Sequence, residues 1–382
     1  MKTIFNIQFK EERKCSAIRN PQSAIRNQKL HIRPYKAGDE EQILRLRGAV
    51  FGDLDPVRTT LSAWRWQFLD NPAGESFCVI AEDSGVFVGQ YAAIPTRFSV
   101  KGNETVFAFS CDTMVHPEYR RKGIFVALAD ELYRSMKEKN GVTTVWGFPN
   151  QASLPGFTGR LGWNLLSAFP LWVRPFRPLT WFCRQVPLLK KVFPAPEVQK
   201  ESSAPSRPYV LESGLVIEPL SHFHEEFDHL WKRHHGLSPI MQIRDRPYLN
   251  WRYLGMPAFG YLPFSIKWKG ELSGYLILRM MNLMGHSFGV LVDLFPLPII
   301  NTSVTRLVID FAGDYCRKQG AEFMTCLFSK ASPDFLKSSG FRKVPNLFNP
   351  KKWYLGCRLE GNKQIPGYSA DWFISYGDTD IV

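Results

Sequence analysis

Val115-His116-Pro117-Glu118-Tyr119-Arg120-Arg121-Lys122-Gly123-Ile124-Phe125 separates an apolar run, Val106 to Met114, from a helical one, Phe125 to Lys139. A strand that stops at Pro117, turns through the basic Arg120-Arg121-Lys122-Gly123 segment and enters a helix gathers backbone N–H groups around a phosphate-sized space. That space lies at the positive end of the helix dipole. Gly123 lets the main chain approach without a Cβ, and the three cations supply countercharge. The turn is read as a pyrophosphate site. Beyond it Ile124, Leu128, Leu132 and Met136 recur every four residues, with Ala129 and Tyr133 beside them: the apolar stripe of a helix lying on a sheet. Asn140-Gly141 stops that helix, and Val142 to Phe148 is a short β-rich run ending at Pro149-Asn150.

Arg120-x-x-Gly123, with Val115-x-Pro117 upstream, resembles the acyl-CoA loop of the GNAT superfamily of N-acyltransferases, written (Q/R)-x-x-G-x-(G/A). The resemblance implies an α/β fold with a mixed sheet, acetyl-CoA or another acyl-CoA as co-substrate, and an amine acceptor. It assigns cofactor binding to Met114, Val115, Arg120, Arg121, Lys122, Gly123, Ile124 and Phe125, the last standing where the family has Gly or Ala. Ser153 to Trp163 resembles the family's N…Y-x-x-l-G-F stretch. Asn150 keeps the role of the residue that bonds the pantetheine arm. Thr158, however, stands where the family carries the Tyr that protonates the departing thiolate. Tyr119, Tyr133 and solvent remain as proton donors, and Tyr133 with Asp112 is the candidate catalytic pair. If the thioester carbonyl lies at the splayed end of the Cys111 to Val115 strand, the N–H of Met114 or Val115 polarises it, and a base is needed near the strand centre. Asp112, a lone carboxylate among apolar or small neighbours, is that candidate; a structural hydrogen bond accounts for it nearly as well.

The chain also repeats itself. Ile32-Arg33-Pro34 returns as Ile217-Glu218-Pro219, an offset of 185 residues, and Trp64-Arg65-Trp66 returns as Trp251-Arg252-Tyr253. Gly89-Gln90-Tyr91 corresponds to Gly274-Tyr275, Asp112 to Asp293, and Leu161-Gly162-Trp163 to Ser339-Gly340-Phe341. Two copies of one α/β unit are expected: a GNAT domain over 31–170, a linker over 171–210, and a GNAT-like domain over 211–360. A basic tail or mistaken start occupies 1–30, and a C-terminal tail 361–382. The second copy is degenerate in its cofactor loop, where Leu294 to Ser303 carries Pro296 and Pro298 and no cation before Arg306. In plan the chain is similar to the enhanced-intracellular-survival acetyltransferases and to FemAB-type aminoacyl transferases. Both copies carry Trp-Arg-aromatic, so this tripeptide is expected to pack the core with its Arg bonding inward, while Trp66 is a candidate wall of the acceptor groove.

Composition bounds the alternatives. In 382 residues, 45% hydrophobic and 14% aromatic, two cores are readily built, and no apolar run nears the roughly 20 residues that span a bilayer. Seven scattered cysteines without C-x-x-C read as reduced thiols of a cytoplasmic protein. The net charge of +13 comes partly from the first 30 residues, where Ser16-Ala17-Ile18-Arg19-Asn20 recurs as Ser23 to Asn27. The rest suits a polyanionic cofactor rather than nucleic acid. His222, His224, His229, His234 and His235 lack the paired carboxylates or cysteines of a metal site, so no metal is expected. Trp172 to Phe193, aromatic and basic, reads as packed linker ahead of interfacial membrane contact. The end of the chain is expected to be frayed and solvated, with Asp378 and Asp380 as candidate partners of a cationic acceptor. The function that follows is acyl transfer to an amine. FemAB-like aminoacyl transfer and a non-catalytic acyl-CoA-binding scaffold are the alternatives.

Overall fold

Fifteen residues from Val86 to Val100 form a strand buried along nearly its whole length, and the first sheet is built outward from it. The computed structural model describes residues 30–52, 56–176, 208–211, 214–283, 286–345, 352–359 and 371–379. Residues 1–29, the segment from 177 to 207, and Asp380 lie outside the described residues. The chain falls into two compact units, one from Met1–Pro95, Phe107–Leu165 and Pro345–Lys363, the other from Thr96–Val106, Leu166–Val344 and Gln364–Val382.

The main path of the first sheet is β1 (Leu30–Pro34), β2 (Phe77–Asp83), β3 (Val86–Val100), β4 (Asn103–Val115), β5 (Thr144–Gly147), β6 (Asn164–Phe169) and β16 (Trp353–Leu359), in the order β1-β2-β3-β4-β5-β16-β6. β1, β2 and β3 pair antiparallel, whereas β4 and β5 run parallel. The helices are α1 (Glu40–Phe51), α2 (Leu61–Phe68), α3 (Ile124–Asn140) and α4 (Leu154–Arg160). Thr60 caps α2 by accepting from Ala63 N, which satisfies one of the orphan amides of its first turn. In α3 the buried residues are Ile124, Leu128, Ala129, Leu132, Tyr133 and Met136, the stripe the spacing predicts. Each large apolar side chain so buried contributes about 1.5–3 kcal/mol.

The second unit repeats the plan with β9 (Leu215–Pro219), α5 (Glu226–His234), β10 (Ile240–Gln242), α6 (Arg246–Leu254), β11 (Tyr261–Trp268), β12 (Glu271–Leu283), β13 (His286–Phe295), α7 (Thr302–Lys318), β14 (Phe323–Cys326), α8 (Pro333–Ser338) and β15 (Arg342–Lys343). With β7 (Trp172–Pro175) and β8 (Tyr209–Val210) the order is β15-β7-β14-β13-β12-β11-β9-β8. β17 (Trp372–Phe373) pairs in parallel with β10, which pairs antiparallel with Phe98–Val100.

Three boundaries differ from the sequence expectation. β7, inside the segment read as linker, is a strand of the second sheet, held by antiparallel pairing to β14. β16, read as the end of the second domain, pairs with β5 in the first. The tail read as frayed is buried from Trp372 to Thr379. The reason is common to all three. Each sheet needs a partner for an otherwise open edge or face, and the chain supplies it from beyond the period of the repeat.

The Trp-Arg-aromatic tripeptide splits in the same way. Trp64 and Trp66 are buried but Arg65 is exposed, against the expectation. Arg252 is buried, and it donates to Gly377 O at 3.1 Å, Thr379 O at 3.0 Å and the Tyr261 hydroxyl at 2.7 Å.

Gly89 and Gly274 show why the repeat keeps glycine. A Cβ on Gly274 would stand 2.7 Å from Phe295 O and press on Ile299 Cδ1, and that carbonyl belongs to a strand paired at Tyr275↔Phe295. Gly274→Ala is expected to cost about 1–3 kcal/mol of stability by urea unfolding. Gly89→Ala, which meets side-chain carbons of Ile124 and Leu128 at 3.0 Å and of Ala81 at 3.4 Å but no backbone atom within that range, should cost less.

Candidate active site

The basic turn is held on its N-terminal side. His116 N donates to Val88 O at 2.9 Å, and the Tyr119 hydroxyl donates to Asp83 Oδ2 at 2.8 Å, a bond that pushes the Tyr119 phenol pKa up. Beyond these anchors Arg121 (φ 65) and Gly123 (φ 84) adopt the left-handed conformation. Alternation of this kind turns successive N–H groups to one side. Val126 N and Ala127 N both donate to Gly123 O at 3.1 Å. The N–H groups of Arg121, Lys122, Gly123, Ile124 and Phe125 make no backbone hydrogen bond among the described residues. They cluster at the start of a 17-residue helix, α3. Arg120 and Arg121 are exposed and without an ion pair among the described residues, Arg120 Nε lying 3.4 Å from Val115 O. The Lys122 ammonium sits 4.4 Å over the Tyr119 ring. The arrangement is one that binds a polyanion.

A fork opens beside this turn. β4 and β5 pair only through Ala108↔Val145 and Phe109↔Trp146. Beyond those pairs Asp112 takes φ 45 in β4, a left-handed conformation that interrupts the regular pleat of the strand. The Asp112 carboxylate is buried and bonded to the buried Arg47 guanidinium of α1, while Gln90 Nε2 donates to Asp112 O at 3.2 Å. Met114 is buried and Val115 half-buried at the end of β4. Across the fork Asn150 Oδ1 accepts from Ala152 N at 3.0 Å and Ser153 N at 2.9 Å, starting α4; its Nδ2 makes no hydrogen bond among the described residues.

Phe125 turns its ring into the wedge between α3 and α4. It lies 5.3 Å edge-on from Phe157 and 6.3 Å from Tyr91, nearly parallel to the latter. A Cβ on Gly156 would come within 3.1 Å of it, so the small residue at 156 makes room for the large one at 125.

Tyr133 is placed in the core. Its hydroxyl bonds to that of Tyr91 at 2.9 Å and accepts from Trp163 Nε1 at 3.0 Å, and Ser110 Oγ donates to Tyr91 at 3.0 Å. Burial pushes both phenols up. This line of hydroxyls reaches β4 at Ser110, and neither Ser110 nor Tyr91 was singled out from the sequence. Arg358 of β16 stacks 4.4 Å over the Tyr133 ring in a cleft of about 450 Å³, lined also by Asp130, Arg134, Lys137 and Glu138.

The candidate acceptor residues are placed elsewhere. Trp66 lies on the buried face of α2. Asp378 belongs to the second unit and is buried. It accepts from Arg244 Nη2 and from Ser375 N, each at 2.8 Å, while Arg244 Nε donates to Asp293 at 3.2 Å. Burial, reinforced by Asp293 and opposed by Arg244, raises the Asp378 pKa above 3.8. A carboxyl that keeps its proton to higher pH when folded is more stabilising at low pH. Stability from this group is therefore lost as pH rises from the unfolded value through the folded one. Asp378→Asn should remove that fall, so the urea midpoint of the wild type relative to the variant is expected to drop as pH rises above about 4.

Among the described residues no group of three or more His, Cys, Asp or Glu is placed to hold a metal, and no helix is long and apolar enough to cross a membrane.

Comparison with known proteins gives concordant findings. Residues 31–166 match the family model described as an acetyltransferase (GNAT) domain. No curated protein matches the chain. Among solved structures, a conserved protein of Enterococcus faecalis V583 described as a probable N-acyltransferase superposes with a TM-score of 0.57 at 14% identity, covering 87% of this chain and 73% of that one. N-myristoyltransferase of Saccharomyces cerevisiae with bound myristoyl-CoA gives 0.56 at 12% identity, with coverage of 92% and 89%. Eis1 of Mycobacterium abscessus gives 0.50 at 14% identity, with coverage of 86% and 73%. At these identities the likeness is one of fold.

Proposed function

We propose that this chain, whose residues 31–166 match the family model of a GNAT acetyltransferase domain, moves an acetyl or short acyl group from acyl-CoA directly to an amine acceptor. The observation that carries the reading is the set of N–H groups from Arg121 to Phe125 at the start of α3 that make no backbone hydrogen bond among the described residues, beside Arg120, Arg121 and Lys122. The CoA diphosphate sits there, and the arm runs along the fork past Asn150, whose Nδ2 donates to it. The thioester carbonyl lies at Met114 and Val115, whose N–H groups stabilise the oxyanion as the amine adds. The C–N bond forms, the C–S bond breaks, and the thiolate leaves with a proton taken from water. Asp112, already bonded to Arg47, holds the left-handed residue of β4 beside the fork, and the attacking amine loses its proton through water. Tyr133 braces β4 through Tyr91 and Ser110.

The five described cysteines carry no disulfide, and four of them are buried, which supports a reducing, cytoplasmic setting.

Two measurements test the proposal. Acetyl-CoA should raise the melting temperature, and a panel of amines should include one that releases free CoA thiol with a product heavier by one acetyl group. A thermal shift without thiol release would make the protein an acyl-CoA-binding scaffold, the reading that Phe125 and Thr158 motivate. Absence of any shift would remove the cofactor assignment.

A further inference from the structure

The first unit's fork has a counterpart in the second. β13 and β14 run parallel, pair from Phe288↔Phe323 to Leu291↔Cys326, and then part. The β12/β13 register slips between Ile277 and Leu278, next to Asp293, the residue that matches Asp112.

Here the space beyond the last pair is filled by peptide. On the β14 side, Ser329 N donates to Ile374 O at 2.9 Å, Ile374 N to Ser329 Oγ at 2.8 Å, and Ser329 Oγ to Trp372 O at 2.6 Å. Phe328 and Ser375 form an antiparallel bridge, and the Thr325 and Tyr376 hydroxyls meet at 3.0 Å. On the β13 side, the Phe373 ring meets Phe295 edge-on at 5.9 Å, and Arg244 links Asp293 to Asp378 while lying 4.8 Å over Phe373. Arg252 grips the carbonyls of Gly377 and Thr379. Trp372 is 0% exposed, and every residue from it to Thr379 is buried.

The turn after β13 explains why the occupant is not a nucleotide. Pro296 and Pro298 have no N–H to offer, Ile299 N is taken by Thr305 Oγ1 at 2.8 Å, and Asn301 Oδ1 accepts from Val304 N at 3.0 Å. The start of α7 is thus closed by the chain itself, in contrast to that of α3.

We propose that the second unit is a peptide-binding module whose resident ligand is the chain's own segment Trp372–Thr379. Its binding mode is addition of an extended strand, with two arginines reading the acidic and carbonyl end and aromatic pockets reading Trp372, Phe373 and Tyr376. The likeness to an acyl-arm slot rests on the function proposed above, whereas the peptide slot itself does not.

The test cuts the chain after it has folded. With a specific protease site inserted within residues 361–369, the cleaved C-terminal fragment is expected to stay with the body through gel filtration. A synthetic peptide of residues 371–382 should displace it, and the same peptide carrying Trp372→Ala should compete about a hundredfold less well. Because these changes lie in the peptide, they leave the folding of the body untouched. Separation of the fragment from a body that keeps its circular dichroism would overturn the proposal, as would equal competition by the two peptides. The readout needs no CoA. A protein that retains its fragment yet shows no thermal shift with acetyl-CoA would keep this inference and lose only the acyl-transfer reading.

Discussion

Reversing charge at Arg120 and Arg121 together is expected to weaken acetyl-CoA binding by about 10²–10³-fold and to abolish its thermal shift. A hydrogen bond to a charged group contributes about 1.5–3 kcal/mol, and a Glu in place of each Arg adds repulsion toward the diphosphate. Solvent exposure moderates the effect, so the loss should be larger at low salt than at 0.15 M. The fold should not suffer. Both side chains are exposed, neither makes an ion pair among the described residues, and the only bond surrendered is the long one from Arg120 Nε to Val115 O. Melting without ligand should therefore stay within about 0.5 kcal/mol of wild type. Calorimetric titration of Arg120→Glu/Arg121→Glu measures this directly, and undiminished affinity would move the diphosphate away from the α3 start.

Arg244→Met carries the largest expected cost in stability, about 3–5 kcal/mol. Arg244 is fully buried between two carboxylates that are themselves fully buried. Its removal leaves Asp293 and Asp378 facing each other without a countercharge. Asp293 retains the hydroxyls of Tyr253 at 3.0 Å and Tyr275 at 2.8 Å. Combining Arg244→Met with Asp293→Asn and Asp378→Asn should then recover most of the loss, because neutral amides remove the unpaired charge. Urea unfolding of the single and triple variants decides it. If the single variant were as stable as wild type, the ion pairs would not be holding the C-terminal segment.

Parts of this architecture were legible in the sequence for definite reasons. The α3 stripe is written in a four-residue spacing that survives because one face of the helix meets a sheet. The basic turn is legible because a helix start, a glycine and three cations are adjacent in the chain. The two-copy plan shows in ordered matches at near-constant offset. What was not legible depends on partners far away. Trp353–Leu359 reads as a strand, yet nothing in its residues says that it pairs with β5 rather than with β14. Arg65 and Arg252 sit in the same tripeptide, and only the second meets carbonyls, those of Gly377 and Thr379, that draw it inward. Ser110 and Tyr91 are single polar residues on strands, and their shared bond exists only once β3, β4 and α3 are assembled. The burial of Asp378 went unseen because a chain end is solvated by default. Trp372-Phe373-Ile374, a dense apolar trio close to the end, was the available sign.

The crossing over of β7 and β16 bears on how the protein is born. Strands β1 to β6 of the first sheet are translated before residue 170, yet β5 has no partner on its outer side until Leu359 has emerged from the ribosome, and β10 and β17 join the sheet from later still. Until then β5 presents a bare flank to any neighbouring strand, including one on another nascent chain. A gene cut between the repeats would yield two incomplete sheets rather than two independent halves.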